Sequence, residues 1–212
     1  EQGNHNPLVG SNRAGATILS PPSFGARLRA GPDIGGHSAM TEDERELCWG
    51  LLRDARGRRR ISHDDFLRQF PSALEGGKLP LRLLEEAYQA QSDEDLLCAM
   101  LVGFSFDAFG SEHTEILCRL VDHDWHSCHE DVVSVLDQLR TPDAIEALFR
   151  ATQWIPKSLE YDEARALAVK AIWGLGNLPN PEAATKLETL ARSDDAILRE
   201  NAREQLARRQ AC

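Results

Sequence analysis

The sequence predicts an all-α fold, an α-α superhelix in which antiparallel helix pairs stack in series behind a flexible N-terminal leader. Three observations carry this expectation. Apolar residues return at helical spacing from Thr41 onward, capping residues and prolines repeatedly mark helix starts, and the second half repeats a two-helix pattern. No alternating run of β-branched residues interrupts these stretches, so no sheet is expected.

Residues 1–40 stand apart. They hold seven of the 15 glycines and four of the ten prolines, with only five charges and no apolar periodicity. Such a stretch cannot bury enough surface to offset the entropy of ordering its backbone, so disorder is expected. It closes on Met40, one of two methionines, directly before a helix start. That marks 1–39 as a leader, either added for expression or native upstream sequence.

The elements after it follow in order. Thr41 with Glu44 makes a capping box, in which the hydroxyl accepts from the amide three residues on and the carboxylate reaches back. Leu47, Leu51 and Leu52 share a face of this first helix, expected to run out at Gly57 and Arg58-Arg59-Arg60. Ser62 with Asp65 opens a short helix carrying Phe66, Leu67 and Phe70. Pro71 to Pro80, with Gly76-Gly77, reads as a loop, and Pro80 suits the first position of a helix bearing Leu81, Leu83, Leu84 and Ala87. Ser92 and Asp95 open a helix apolar on most sides (Leu96, Leu97, Met100, Leu101, Phe104), the pattern of a buried helix. Residues 41–90 are read as an N-terminal helical cap and 91–212 as repeats.

The repeat itself is explicit. Residues 132–139 (VVSVLDQL) lead into Thr141-Pro142-Asp143-Ala144, and 39 residues later 171–178 (AIWGLGNL) lead into Asn180-Pro181-Glu182-Ala183. Each unit ends a helix on leucine, then places an N-cap, a proline and an acid in the first turn of the next. Ala144, Leu148 and Ala151 match Ala183, Leu187 and Leu190, and an earlier unit at 112–122 puts Leu117 where Leu148 later stands. A last helix after Asp194-Asp195 carries Arg199, Arg203, Arg208 and Arg209 on an expected basic outer face, as a terminal cap does.

Units of two helices at this period, with proline opening the second helix, resemble HEAT repeats. The run AVKAIWGLGNLPNPEAATKLETLARSDDAILRENA (168–202) is similar to the bacterial HEAT-type pattern, and the resemblance covers roughly residues 91–210. It implies a HEAT-like solenoid, since no single helix pair hides its apolar stripe alone.

The densest polar segment is Asp122-His123-Asp124-Trp125-His126-Ser127-Cys128-His129-Glu130-Asp131. Three histidines spaced by three invite a metal reading, yet no second ligand pair in a CxxC or HExxH arrangement accompanies them. Ser127 with Glu130 reads instead as a second capping box entering a helix 128–140, with His129 on its inner face. No metal or cofactor is assigned. Tyr161-Asp162-Glu163 is expected at the start of a helix 162–178, where Glu163, Lys170 and Trp173 share one stripe. Trp173 stands open between an anchor for a partner and a wedge against the next repeat. The 39-residue offset brings Trp125, His126, His129, Glu130 and Asp131 close to Tyr161, Asp162, Glu163, Lys170 and Trp173, on one edge of the solenoid. The runs WHSCHED (125–131) and YDEARALAVKAIW (161–173) resemble ones in bacterial HEAT-type proteins. This edge is the candidate partner-binding surface.

Composition narrows the function. Lys+Arg number 24 against 34 Asp+Glu, for a net charge of −10. Arg13, Arg27 and Arg29 outweigh Glu1 and Asp33 by one, so residues 41–212 carry −11. That opposes wrapping of nucleic acid, which requires cations in excess. The longest apolar run, 96–104, falls far short of the roughly 20 residues that span a bilayer, and no secretory signal is evident. Five cysteines at irregular spacing suit reduced thiols and a cytoplasmic location. No glycine-rich phosphate loop or nucleophile motif appears, so no catalytic residue is assigned. The expectation is a non-catalytic protein-binding scaffold. Its sharper form, which the HEAT-type resemblance implies, is an immunity protein neutralising a cognate bacterial toxin with a basic domain. The alternative is a HEAT-like DNA glycosylase or lyase, because fold alone does not assign activity.

Overall fold

The computed structural model describes residues 40–54, 56–70 and 78–211. The expected leader (1–39) and the Gly76-Gly77 loop lie outside them. Ten α-helices and no strand occur among the described residues, and these helices stack as an α-α superhelix. None of the described helices is long and apolar enough to cross a membrane.

Helix α1 (Glu42–Gly50) opens with the expected capping box: Glu44 N–H donates to Thr41 Oγ1 at 3.3 Å and Thr41 N–H to Glu44 Oε2 at 2.8 Å. It ends at Gly50 and does not reach Gly57. The amides of Arg60 and Ile61 both donate to the Gly50 carbonyl, so the chain doubles back there. Ser62 caps α2 (His63–Gln69), and Ser92 caps α4 (Asp93–Ser105), each through the amide of the residue three on. Between them α3 (Leu79–Ala90) carries Pro80 in its first turn, as expected. The expected all-round burial of α4 holds in part: Leu96 and Met100 are buried, Leu97 and Leu101 are half-buried, and Phe104 is 41% exposed, with its ring edge-on to Phe109. Phe109 in turn lies where a Cβ on Gly103 would come within 2.2 Å of its ring, so only glycine permits this close approach.

The repeats follow as α5 (Thr114–Leu120), α6 (His129–Leu139), α7 (Ile145–Ala151), α8 (Ala166–Asn177), α9 (Pro181–Leu190) and α10 (Ala196–Gln210). Helices α6, α8 and α10 pack one on the next in one layer, and α5, α7 and α9 do so in a second. Thr141 and Asn180 accept from amides two residues on, as N-caps, although Pro142 first opens a short 3₁₀ turn. Helix α8 touches α6, α7, α9 and α10, which is why its sequence is apolar on several sides. Among the polar ties between neighbouring repeats, a matched set joins Glu130 with Lys170, Asp137 with Asn177 and Glu146 with Lys186. Each pair is 40 residues apart, the 39-residue period plus one. One apolar core runs from Met40 to Ala202 and includes the N-terminal helices.

The terminal helix departs from expectation in one respect. Arg203 and Arg208 are exposed, but Arg199 is half-buried on the Ser193 and Asp194 carbonyls, and Arg209 donates to the carbonyls of Leu175 near the end of α8 and of Leu178 and Asn180 just beyond it. Each of these carbonyls also accepts one backbone amide, from Leu178, Asn180 and Ala184 respectively, so the guanidinium adds a second donor to each and lies near the negative end of the α8 dipole.

Candidate functional site

The candidate edge is built on two connections that occupy equivalent places in successive repeats: residues 121–128 between α5 and α6, and 152–165 between α7 and α8. The first is filled by rings. The Arg119 guanidinium lies 4.2 Å above the Tyr88 ring, and the Tyr88 hydroxyl meets His123 Nε2 at 3.1 Å. Trp125 stands edge-on to His126 at 4.8 Å, His126 stacks on His129 at 4.1 Å, and His129 meets the Trp154 ring edge-on at 5.3 Å. This ladder leads from α3 to the connection after α7.

The histidine chemistry is assigned by neighbours. His126 Nδ1 accepts from the Cys128 amide, so Nε2 carries the proton and donates to the Leu120 carbonyl at 2.8 Å. His129 Nε2 meets the His123 carbonyl at 2.9 Å. Burial, with the adjacent His129, pushes His126 down to about 4; burial also lowers His129, so both rings are neutral at pH 7. His129 Nδ1 and the indole N–H groups of Trp125 and Trp154 are buried without hydrogen-bond partners. Among the described residues no three His, Cys, Asp or Glu side chains converge as a metal set.

The expected Ser127–Glu130 capping box does not form. Asp93, at the start of α4, takes both the Ser127 amide and hydroxyl at 2.7 and 3.0 Å, and α6 begins at His129 without a side-chain cap. Asp93 takes the Ser127 amide that the Glu130 carboxylate would otherwise accept from, while Glu130 pairs with Lys170.

Of the expected partner-binding residues, Trp125 is half-buried and packs against the core, and His126 and His129 are buried. Glu130 and Lys170 do come together, Nζ to Oε2 at 2.7 Å, across α6 and α8. Asp131 lies next to them; burial raises its pKa and Lys170 partly offsets this. Tyr161, Asp162 and Glu163 are not in the helix. Residues 157–159 form a 3₁₀ turn, Asp162 accepts from the Ala164 and Ala166 amides, and Arg165 takes a left-handed conformation (φ 54°) before α8 starts at Ala166. Glu163 therefore shares no helical stripe with Lys170 and Trp173. Trp173 faces the other way, half-buried beneath the Arg208 guanidinium at 4.7 Å, a contact with α10.

The second connection is different in kind. Arg165 pins its end to Asp195 at 2.6 Å and to the Thr152 carbonyl at 3.1 Å. On this fixed frame Tyr161 is 93% and Ile155 48% exposed, beside a shallow hollow lined by Trp154, Pro156 and Leu159. Tyr88, Trp154 and Ile155 were not singled out from the sequence. Trp154 was within reach: it stands 31 residues after His123, the spacing that relates Leu117 to Leu148.

Comparison with protein-family models, curated proteins and solved structures finds no match to this chain.

Proposed function

We propose that this protein is a non-catalytic, protein-binding HEAT-like scaffold whose partner seats on the connection between α7 and α8. The observation that carries the reading is the exposure of Tyr161 and Ile155 on a pinned connection. An exposed aromatic on a rigid frame contributes apolar contact with little ordering cost, the character of an interface anchor. Exposed acids stand around it (Glu160, Glu163, Asp194), and residues 41–212 as a whole are acidic, so the complementary partner is basic. The sharper proposal is an immunity protein that neutralises a basic bacterial toxin domain by covering it.

The test is capture on immobilised protein followed by quantitative mass spectrometry, with the Ile155→Ser/Tyr161→Ala double variant beside it. A basic protein recovered by the wild type and lost from the variant, at unchanged thermal midpoint, supports the reading. Equal recovery from both overturns it. Nanomolar binding of duplex DNA that falls steeply with salt would favour the glycosylase-like alternative.

A further inference from the structure

The second charged feature of the molecule lies away from this edge, in the turn after α1. Arg53 and Arg59 face each other in an isolated antiparallel bridge. In such a pairing the two side chains leave the same face a few ångströms apart, and like charges there repel. Among the described residues no carboxylate pairs with either arginine. Asp54, the acid nearest in sequence, is spent: it accepts from the Arg56 and Arg58 amides at 2.8 Å and from the Arg58 guanidinium. An acidic chain thus holds two cations together and leaves their mutual charge uncompensated.

The geometry is held in place. Arg53 Nη1 donates to the Gly57 carbonyl at 2.9 Å and Arg59 Nε to the Leu51 carbonyl at 3.0 Å, which anchors both guanidinium groups and leaves their remaining N–H groups available. Gly57 adopts φ 76°, which lets the chain turn between the two arginines. Close by, His63 is stacked on Phe106 at 4.4 Å, and its Nε2 is buried with no hydrogen-bond partner. We propose that Arg53 and Arg59, with His63 beside them, form a binding site for a phosphate monoester dianion. Two guanidinium groups offer forked donors matched to phosphate oxygens, and one dianion cancels the charge of the pair. A diester backbone presents a single charge per phosphate and must also approach a protein that is strongly acidic elsewhere, which favours the monoester.

The charges around His63 supply a readout. Burial lowers its pKa, Arg59 and Arg53 lower it further, and Asp64 opposes them. A dianion on the arginines removes the cationic contribution, so His63 takes up a proton more readily when the site is filled. The experiment is a titration of the full chain with inorganic phosphate at constant ionic strength, following the His63 ring by NMR, its signal assigned by its loss in His63→Gln. A saturable shift with a dissociation constant of about 1 mM or tighter, and a raised His63 pKa, are expected. Arg53→Gln weakens binding about tenfold or more, and Arg192→Gln, remote from the turn, leaves it unchanged. Because Arg53 also holds the turn, its thermal midpoint is read alongside, and the wild-type titration stands without it. A phosphoserine peptide binding more tightly than inorganic phosphate assigns the monoester to a protein source, and equal affinity to a small molecule. A response that never saturates and is matched by sodium chloride overturns the proposal, as does binding of a single-stranded oligonucleotide without binding of phosphate.

Discussion

The connections at 121–128 and 152–165 occupy the same place in successive repeats and have opposite fates. The first turns its rings inward: His126 and His129 are buried, every nitrogen of His126 is used, and Asp93 fastens Ser127 from outside the repeat. The second keeps only Trp154 for the ladder and leaves Ile155 and Tyr161 in solvent. Repetition thus supplies the stack, and the two connections differ in what they leave exposed. Connecting segments on a rigid frame are where binding residues concentrate, because they vary without disturbing the stack.

The largest test of this contrast is His126→Ala. It empties a buried site, strands the Cys128 amide and removes the ring's bond to the Leu120 carbonyl, so urea unfolding should show a loss of about 3 kcal/mol. A loss below about 1 kcal/mol would mean that the first connection is not a packing element. The pH dependence comes next. Folded His126 titrates at about 4, whereas the unfolded ring takes its proton near 6.5. Between those values the unfolded state binds more protons, so this contribution is complete above about pH 6.5 and drains as pH falls to about 4. Unfolding at pH 7 and pH 4.5 should differ by about 2–3 kcal/mol more in the wild type than in His126→Ala.

Glu130→Arg joins the two connections in one variant. It sets two cations against each other across α6 and α8, where both partners are half-exposed, and should cost about 1 kcal/mol or less while weakening capture of a basic partner. Tyr161→Ala is the smallest in stability. The ring is almost wholly in solvent, so the thermal midpoint should stay within about 0.5 kcal/mol of wild type while partner affinity falls. Equal loss of folding and capture would assign Tyr161 to packing and erase the contrast.

Much of the stack was legible from residue order. Capping residues such as Thr41, Ser62, Ser92 and Asn180 act locally, through amides two or three positions away, so their effect is written in the sequence. The 39-residue period likewise placed Glu130 and Asp131 near Lys170, and it is Glu130 that pairs with it. Two of the departures were competitions between near and distant partners. Ser127 was drawn off by Asp93, and the helix expected from 162 was delayed to Ala166 by Asp162 and by Arg165, which Asp195 holds; of the two readings open for Trp173, the contact with the next repeat is present.

Helix identity, the repeat and the overall acidity therefore belong to the sequence alone, since they follow from spacing and local hydrogen bonding. Which rings are buried, which loop stays exposed and which arginines face each other were decided by tertiary structure. Several of those outcomes depend on groups 30 or more residues apart, as when Asp93 takes Ser127, and others on how a turn folds back, as at Arg53 and Arg59; no local pattern records either.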